Sequence, residues 1–233
     1  MPADSPLALM SADEAIISRR SIRAFLPDAV PKVLIEDLLA VASRAPSGSN
    51  IQPWKVYVVQ GASKDKLVDA LTKVYASPDL AAQQKPNYTY YPKNWKSPFI
   101  ERRRKVGWDL YDLLGLTRED KEGMRVQHGK NYSFFGAPVG LIFTIDATLE
   151  QGSWLDYGMF IQSVMIAARA RGLDTCPQAA FVPYNQVVAE VLGIDESEAL
   201  VCGMALGWAD PAAVENGLVS ERAPVADFTT FLS

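Results

Sequence analysis

Residues 18–25 read SRRSIRAF and place Arg19, Arg20, Ser21 and Arg23 within five positions. Guanidinium groups offer planar forks of N–H donors that suit oxyanions, so the cluster is either the cradle of an anion or a solvated basic loop. Arg222 stands near the other end of the chain. A second cluster, RAPSGSNIQPW at 44–54, crowds Pro46, Ser47, Gly48, Ser49, Asn50, Gln52 and Pro53 into one connection. A plain helix-to-strand turn needs only two or three such breakers.

Other chemistries are disfavoured by what the sequence lacks. His128 is the single histidine, so a multi-histidine metal site is impossible, and no metal is expected. No GxSxG elbow supports a serine hydrolase, no GxxxxGK[ST] a phosphate loop, and no GxGxxG a Rossmann domain. Cys176 and Cys202 form no CxxC and are expected to stay reduced in a cytoplasmic protein. The acidic start, with Asp4, Asp13 and Glu14, does not read as a secretory leader.

The elements that must position these residues come from one compact domain spanning 1–233. With 48% hydrophobic residues the chain is apolar enough for a large core, and its net charge of −4 disfavours nucleic acid as a partner. The longest apolar runs fall short of the ~20 residues that cross a bilayer, so no membrane partner is expected.

Helical patterns are expected at 12–19 and after Pro31, where Leu34, Leu38, Val41 and Ala42 would form the buried face. Further helices are expected at 63–76, 100–115, 153–172 and 183–192, and strands at 54–60, 138–146 and 199–208. Residues 77–100, with Pro78, Pro86, Pro92 and Pro98 among tyrosines, have no clean period and read as a cover or excursion. The helix at 153–172 is apolar nearly all round, so it is either core or a dimer face. The last stretch, 210–233, reads as an extended arm ending in DFTTFL.

SRRSIRAF, APSGSNIQPW, TCPQAA at 175–180, and LGWAD followed by Arg222 occur in the order of the FMN-dependent nitroreductase family, which the chain resembles over almost its whole length. ERRRKVGWDLYDLLG and NYSFFGAPVGLIF resemble the branch that includes nitrobenzoate-type reductases. The resemblance implies an α+β, three-layer α/β/α fold with a central, mainly antiparallel sheet. It also implies a homodimer with a domain-swapped C-terminal arm at 210–233, and a lid or excursion around 77–135.

The family pattern implies two FMN molecules at the subunit interface. Arg19, Arg20, Ser21 and Arg222 would take the phosphate and ribityl end, and Arg23 would stabilise negative charge on the reduced ring. Pro46, Ser47, Gly48, Ser49, Asn50 and Gln52 would approach the partner's flavin, the prolines fixing φ and the short residues admitting a flat ring. Pro177, Gln178, Ala179 and Ala180 would pass N5, although many relatives carry an acid where this chain has Ala179. Asn131 would sit at the amide edge of the ring.

Tyr88, Tyr90, Tyr91, Trp95, Trp108, Tyr132, Phe134 and Phe135 are aromatics of the expected cover or pocket edge, most of them packing residues, with Tyr88, Trp108 and Phe134 the candidates to sandwich an aromatic substrate. Arg102, Arg103, Arg104 and Lys105 either attract a substrate carboxylate or form a solvated face with pairs to Glu101 and Asp109. The implied reaction is a ping-pong reduction of nitroaromatics, with NADH or NADPH as co-substrate and no catalytic protein nucleophile. Alternatives are quinone reduction, dehalogenation or flavin fragmentation on the same cofactor, and flavin binding without turnover.

Overall fold

The computed structural model describes residues 9–232. Ser11 starts α1 (Ala12–Ser18) with a capping box, its hydroxyl accepting from the Glu14 N–H while the Glu14 carboxylate accepts from the Ser11 N–H. Pro31 caps α2 (Lys32–Ala42), which buries Ile35, Leu38 and Ala42. Val41, expected on that face, is 48% exposed, because the 35/38/42 spacing sets the stripe and turns residue 41 outward.

The chain continues through β1 (Lys55–Gln60), α3 (Gly61–Ala76), α4 (Pro78–Gln83), α5 (Phe99–Leu113) and α6 (Lys121–Gly129). It then forms β2 (Val139–Asp146), α7 (Gln151–Ala170), β3 (Asp174–Gln178), α8 (Asn185–Leu192) and β4 (Glu198–Gly207). The four strands make one sheet in the order β1-β2-β4-β3, and every neighbouring pair is antiparallel.

Both faces of this sheet are covered, which is why β2 and β4 read as unbroken apolar runs. On one face Leu141, Phe143, Met204 and Leu206 meet Leu38 of α2 and Tyr157, Phe160 and Val164 of α7. On the other, Ile142 and Ala205 meet Leu67 and Leu71 of α3, Val188 of α8, and the pair Phe134 and Phe181. The α+β expectation is therefore met, with helices on either side of an antiparallel sheet.

The long helix α7 differs between its two sides. One side is core; on the other, Leu155 is 71% exposed in the single chain. Gly172, at φ +76°, follows the helix as its left-handed cap residue.

The excursion at 77–100 begins with the short helix α4, capped by the Ser77 hydroxyl and led by Pro78. It is then irregular but tied down. Asn87 Nδ2 donates to the Leu200 carbonyl at 3.0 Å, and the Tyr88 hydroxyl donates to the Val201 carbonyl at 2.7 Å. No helix among the described residues is long and apolar enough to cross a membrane.

Candidate functional site

Segment 19–25 is laid along the sheet edge. Ser21 bridges Thr175 of β3 in parallel, and the Ile22 N–H donates to the Thr175 carbonyl at 3.1 Å. Asn216 holds the other side, accepting from the Arg23 N–H at 2.8 Å and donating to the Ala24 carbonyl at 2.8 Å. The backbone polar groups are thus satisfied locally, and two of the guanidinium groups are themselves anchored, Arg20 Nη1 donating to the Asn216 carbonyl at 3.5 Å and Arg23 Nη1 to the Ser21 carbonyl at 3.2 Å.

They face a groove of about 510 Å³ lined by Arg19, Arg20, Ser21, Arg23 and Arg222, with Val106 and Leu218 among its apolar members. No acidic residue lines it. Burial lowers the pKa of Arg19, and the like charge of Arg222 lowers it further. Its Nε is buried without a protein partner. Packing cations together with no counter-charge is costly, so this donor set fits a multiply charged oxyanion such as a phosphate.

A second groove, of about 570 Å³, adjoins the first through Arg23, which lines both. Pro177, Gln178, Ala179 and Ala180 form one wall; Asn131 and Tyr132 follow α6 on another; Tyr88, Tyr90 and Tyr91 of the excursion cover it. Gln178 Nε2 donates to the Asn131 carbonyl at 2.8 Å, while its Oε1 is buried and unpartnered. Such a slot, aromatic and mostly apolar with a few polar groups, suits a planar ring.

Burial dominates the titrations here. It pushes the Tyr88 and Tyr132 hydroxyls up, and it raises the Cys176 thiol to about 11 despite the opposing pull of Arg23, Ser21 and Arg19. His128 goes the other way. Although much of the residue is open to solvent, its ring lies beside Tyr75 and Tyr132, and burial lowers its pKa.

The breaker-rich turn lies apart. Ser49, Asn50 and Gln52 adopt positive φ of 50°, 57° and 50°, a strained choice for residues with a Cβ. The Gly48 N–H donates to Asp156 Oδ2 of α7, and the Gln52 N–H donates to Ser47 Oγ at 3.0 Å. None of Pro46, Ser47, Gly48, Ser49, Asn50 or Gln52 lines either groove of its own chain.

Two substrate assignments are corrected. Phe134 is fully buried, its ring stacked 4.9 Å from that of Phe181, so it is core rather than groove. Trp108 lines neither groove of its own chain, where it packs on Tyr111 and under the Arg118 guanidinium. Conversely, Tyr111, Gln127 and His128 line the aromatic groove without having been anticipated. The Asp120 cap of α6, which accepts from the Gly123 N–H at 2.8 Å, was the available sign of the helix that carries the latter two. For Asn216 the sequence offered none.

With this geometry in place, the chain can be set beside known proteins. The model of the nitroreductase family matches residues 16–208. The chain is 40% identical over 220 residues to a 4-nitrobenzoate reductase of Pseudomonas putida, covering 94% of this chain and 95% of that one. It is 38% identical to a chloronitrobenzene nitroreductase of Comamonas testosteroni, covering 94% and 96%. Among solved structures, the FMN and NADPH-dependent nitroreductase NfnB of Sphigopyxis sp. strain HMH superimposes with a TM-score of 0.92 at 35% identity, covering 96% of this chain and all of that one. NfnB of Mycobacterium smegmatis, solved with NADPH, gives 0.90 at 32% identity, covering 95% and 98%. An arginine-lined anion groove opening into an aromatic slot, on a fold shared over nearly the whole length of these proteins, leads to one assignment: the chain belongs to the nitroreductase family.

Proposed function

We propose that the protein is an FMN-dependent NAD(P)H oxidoreductase that reduces nitroaromatic compounds to nitroso and hydroxylamine products. The observation that carries this reading is the meeting of Arg19, Arg20, Ser21 and Arg23 with Arg222 on one acid-free groove, adjoining an aromatic one. Its relatives' names, 4-nitrobenzoate reductase and chloronitrobenzene nitroreductase, give the substrate class.

FMN, when bound, supplies two-electron chemistry on a planar ring. The protein's own part is binding, orientation and charge. Arg19, Arg20, Ser21 and Arg222 would hold the phosphate end by charge-assisted bonds. Arg23, shared by both grooves, would set a cation beside the ring, where added negative charge needs it. The small residues Ala179 and Ala180 leave room for stacking and offer main-chain N–H groups, while Asn131, itself contacted by Gln178, faces the same slot. Nucleotide and nitroarene occupy the aromatic groove in turn, which makes the kinetics ping-pong; the excursion within 77–135 covers that groove.

The same reading makes the protein a homodimer whose C-terminal arm reaches the partner beyond Arg222, which itself stays on the groove of its own chain. Ile17, Phe228, Phe231 and Leu232 are 83%, 70%, 88% and 92% exposed in the single chain, and the Pro46–Gln52 turn lines neither groove of its own chain, both of which support a partner subunit. A deciding experiment is anaerobic titration of the yellow protein with NADH and NADPH, followed by 4-nitrobenzoate. Bleaching and then recovery are expected; flavin that stays oxidised with both nucleotides would sink the reading.

A further inference from the structure

We infer that Arg103 gives the aromatic groove a preference for arenes bearing a carboxylate, an inference that rests on the proposed nitroarene reduction and deepens it. Four successive cations, Arg102 to Lys105, open α5. The fold treats them differently. Lys105 Nζ is engaged by Asp109 Oδ2 at 2.9 Å and Glu221 Oε1 at 3.3 Å. Arg102 lines a separate trough beside the C-terminal segment, in the company of Asp109, Glu221 and Asp227.

Arg103 alone in the run is set against rings of the groove's cover. Its guanidinium carbon lies 5.2 Å from the Trp95 ring centroid and 5.6 Å from that of Tyr91. Tyr91 lines the aromatic groove, so the cation stands one ring behind the groove's cover, although Arg103 does not itself line the groove. Ring contact of this kind holds the guanidinium face and leaves its edge donors available for a planar carboxylate. Among the described residues no acidic side chain forms an ion pair with Arg103.

The groove's lining points the same way. It contains Arg23 and no aspartate or glutamate, so an anion approaching past the Arg103-backed cover meets attraction there and no carboxylate inside. A neutral arene gains nothing from this arrangement. Because Arg103 is exposed, the preference is modest and sensitive to ionic strength.

The test compares wild type, Arg103→Gln and Arg104→Gln, the latter removing the same charge one residue away from the rings. In the holoenzyme, the ratio of kcat/KM for 4-nitrobenzoate to that for nitrobenzene is measured at low and high salt. Binding of benzoate to the oxidised holoenzyme is measured by calorimetry. Arg103→Gln is expected to lower the ratio and weaken benzoate by about three- to five-fold at low salt, with less effect at high salt, while Arg104→Gln changes neither. Equal losses in both variants, no loss in Arg103→Gln, or an effect confined to the KM of the nucleotide would overturn the inference. Benzoate carries no nitro group, so benzoate binding lost specifically in Arg103→Gln supports the inference even in a protein that fails to reduce nitroarenes.

Discussion

The Gly48 N–H donates to Asp156 Oδ2 at 3.0 Å and thereby fastens the Pro46–Gln52 turn to the buried side of α7. That bond steadies a turn whose Ser49, Asn50 and Gln52 sit at positive φ, a strain of about 1–3 kcal/mol per residue. Asp156→Ala leaves the Gly48 N–H without its acceptor, a loss of about 1–3 kcal/mol. A lower melting temperature together with weaker FMN retention is expected. If both stay at wild-type values, Asp156 is not the clamp.

Arg222→Ala removes one guanidinium from the anion groove. A charge-assisted bond contributes about 1.5–3 kcal/mol, so the FMN dissociation constant should rise about 10- to 100-fold. The flavin-free protein offers a second readout: inorganic phosphate should raise its melting temperature more than chloride at equal ionic strength, because it relieves the repulsion between Arg19 and Arg222. An unchanged dissociation constant would remove Arg222 from the site.

His128 makes stability depend on pH. Its folded pKa lies below the ordinary 6.5 because burial disfavours the charged ring. Above pH 6.5 the ring is neutral folded and unfolded, and its contribution is fully present. As the pH falls, the unfolded chain takes up the proton that the folded ring resists, and stability is lost through the folded value. Urea midpoints between about pH 8 and about pH 5 should fall less for His128→Gln than for wild type. Parallel curves would show that the ring is not held neutral.

Phe134 separates core from site. Its ring rests against Phe181 and lies directly over β2, so close that a Cβ placed on Gly140 would lie 2.5 Å from the ring Cζ. Phe134→Ala should cost about 3–5 kcal/mol of stability, and Gly140→Ala about 1–3 kcal/mol by overpacking. The KM for a nitroarene should be nearly constant in whatever fraction stays folded. A selective KM increase in a stable Phe134→Ala protein would return this residue to the groove.

Both cysteines are buried, and burial raises Cys176 to about 11 and Cys202 to about 12. Native protein near neutral pH should therefore resist a thiol-specific disulfide reagent and react at two sites only once unfolded. Rapid labelling of the native protein would contradict the packing around β3.

Much of this architecture was legible because its signals are local. Continuous apolar runs marked β2 and β4, Pro31 marked the start of α2, and the motif order carried the fold. β3 was not legible as a strand: DTCPQ is short, half polar and contains Pro177, and its pairing with β4 supplies what its own propensity lacks. The phosphate cluster was readable as chemistry, since arginine type and spacing carry it. The role of Phe134 was not, because a φ of 53° sends its ring where no helical or strand period would place it. Asn216 joins residues 192 and 193 positions away through its single amide, a relationship invisible in composition or periodicity.

The separation of the 46–52 turn from the grooves of its own chain has a genetic corollary for the proposed dimer. A variant crippled in the turn and another crippled at Arg222 would each be silent alone. A mixed dimer would unite both lesions in one centre and leave the other wholly intact, so subunit exchange between two dead preparations should restore turnover where no single polypeptide is repaired.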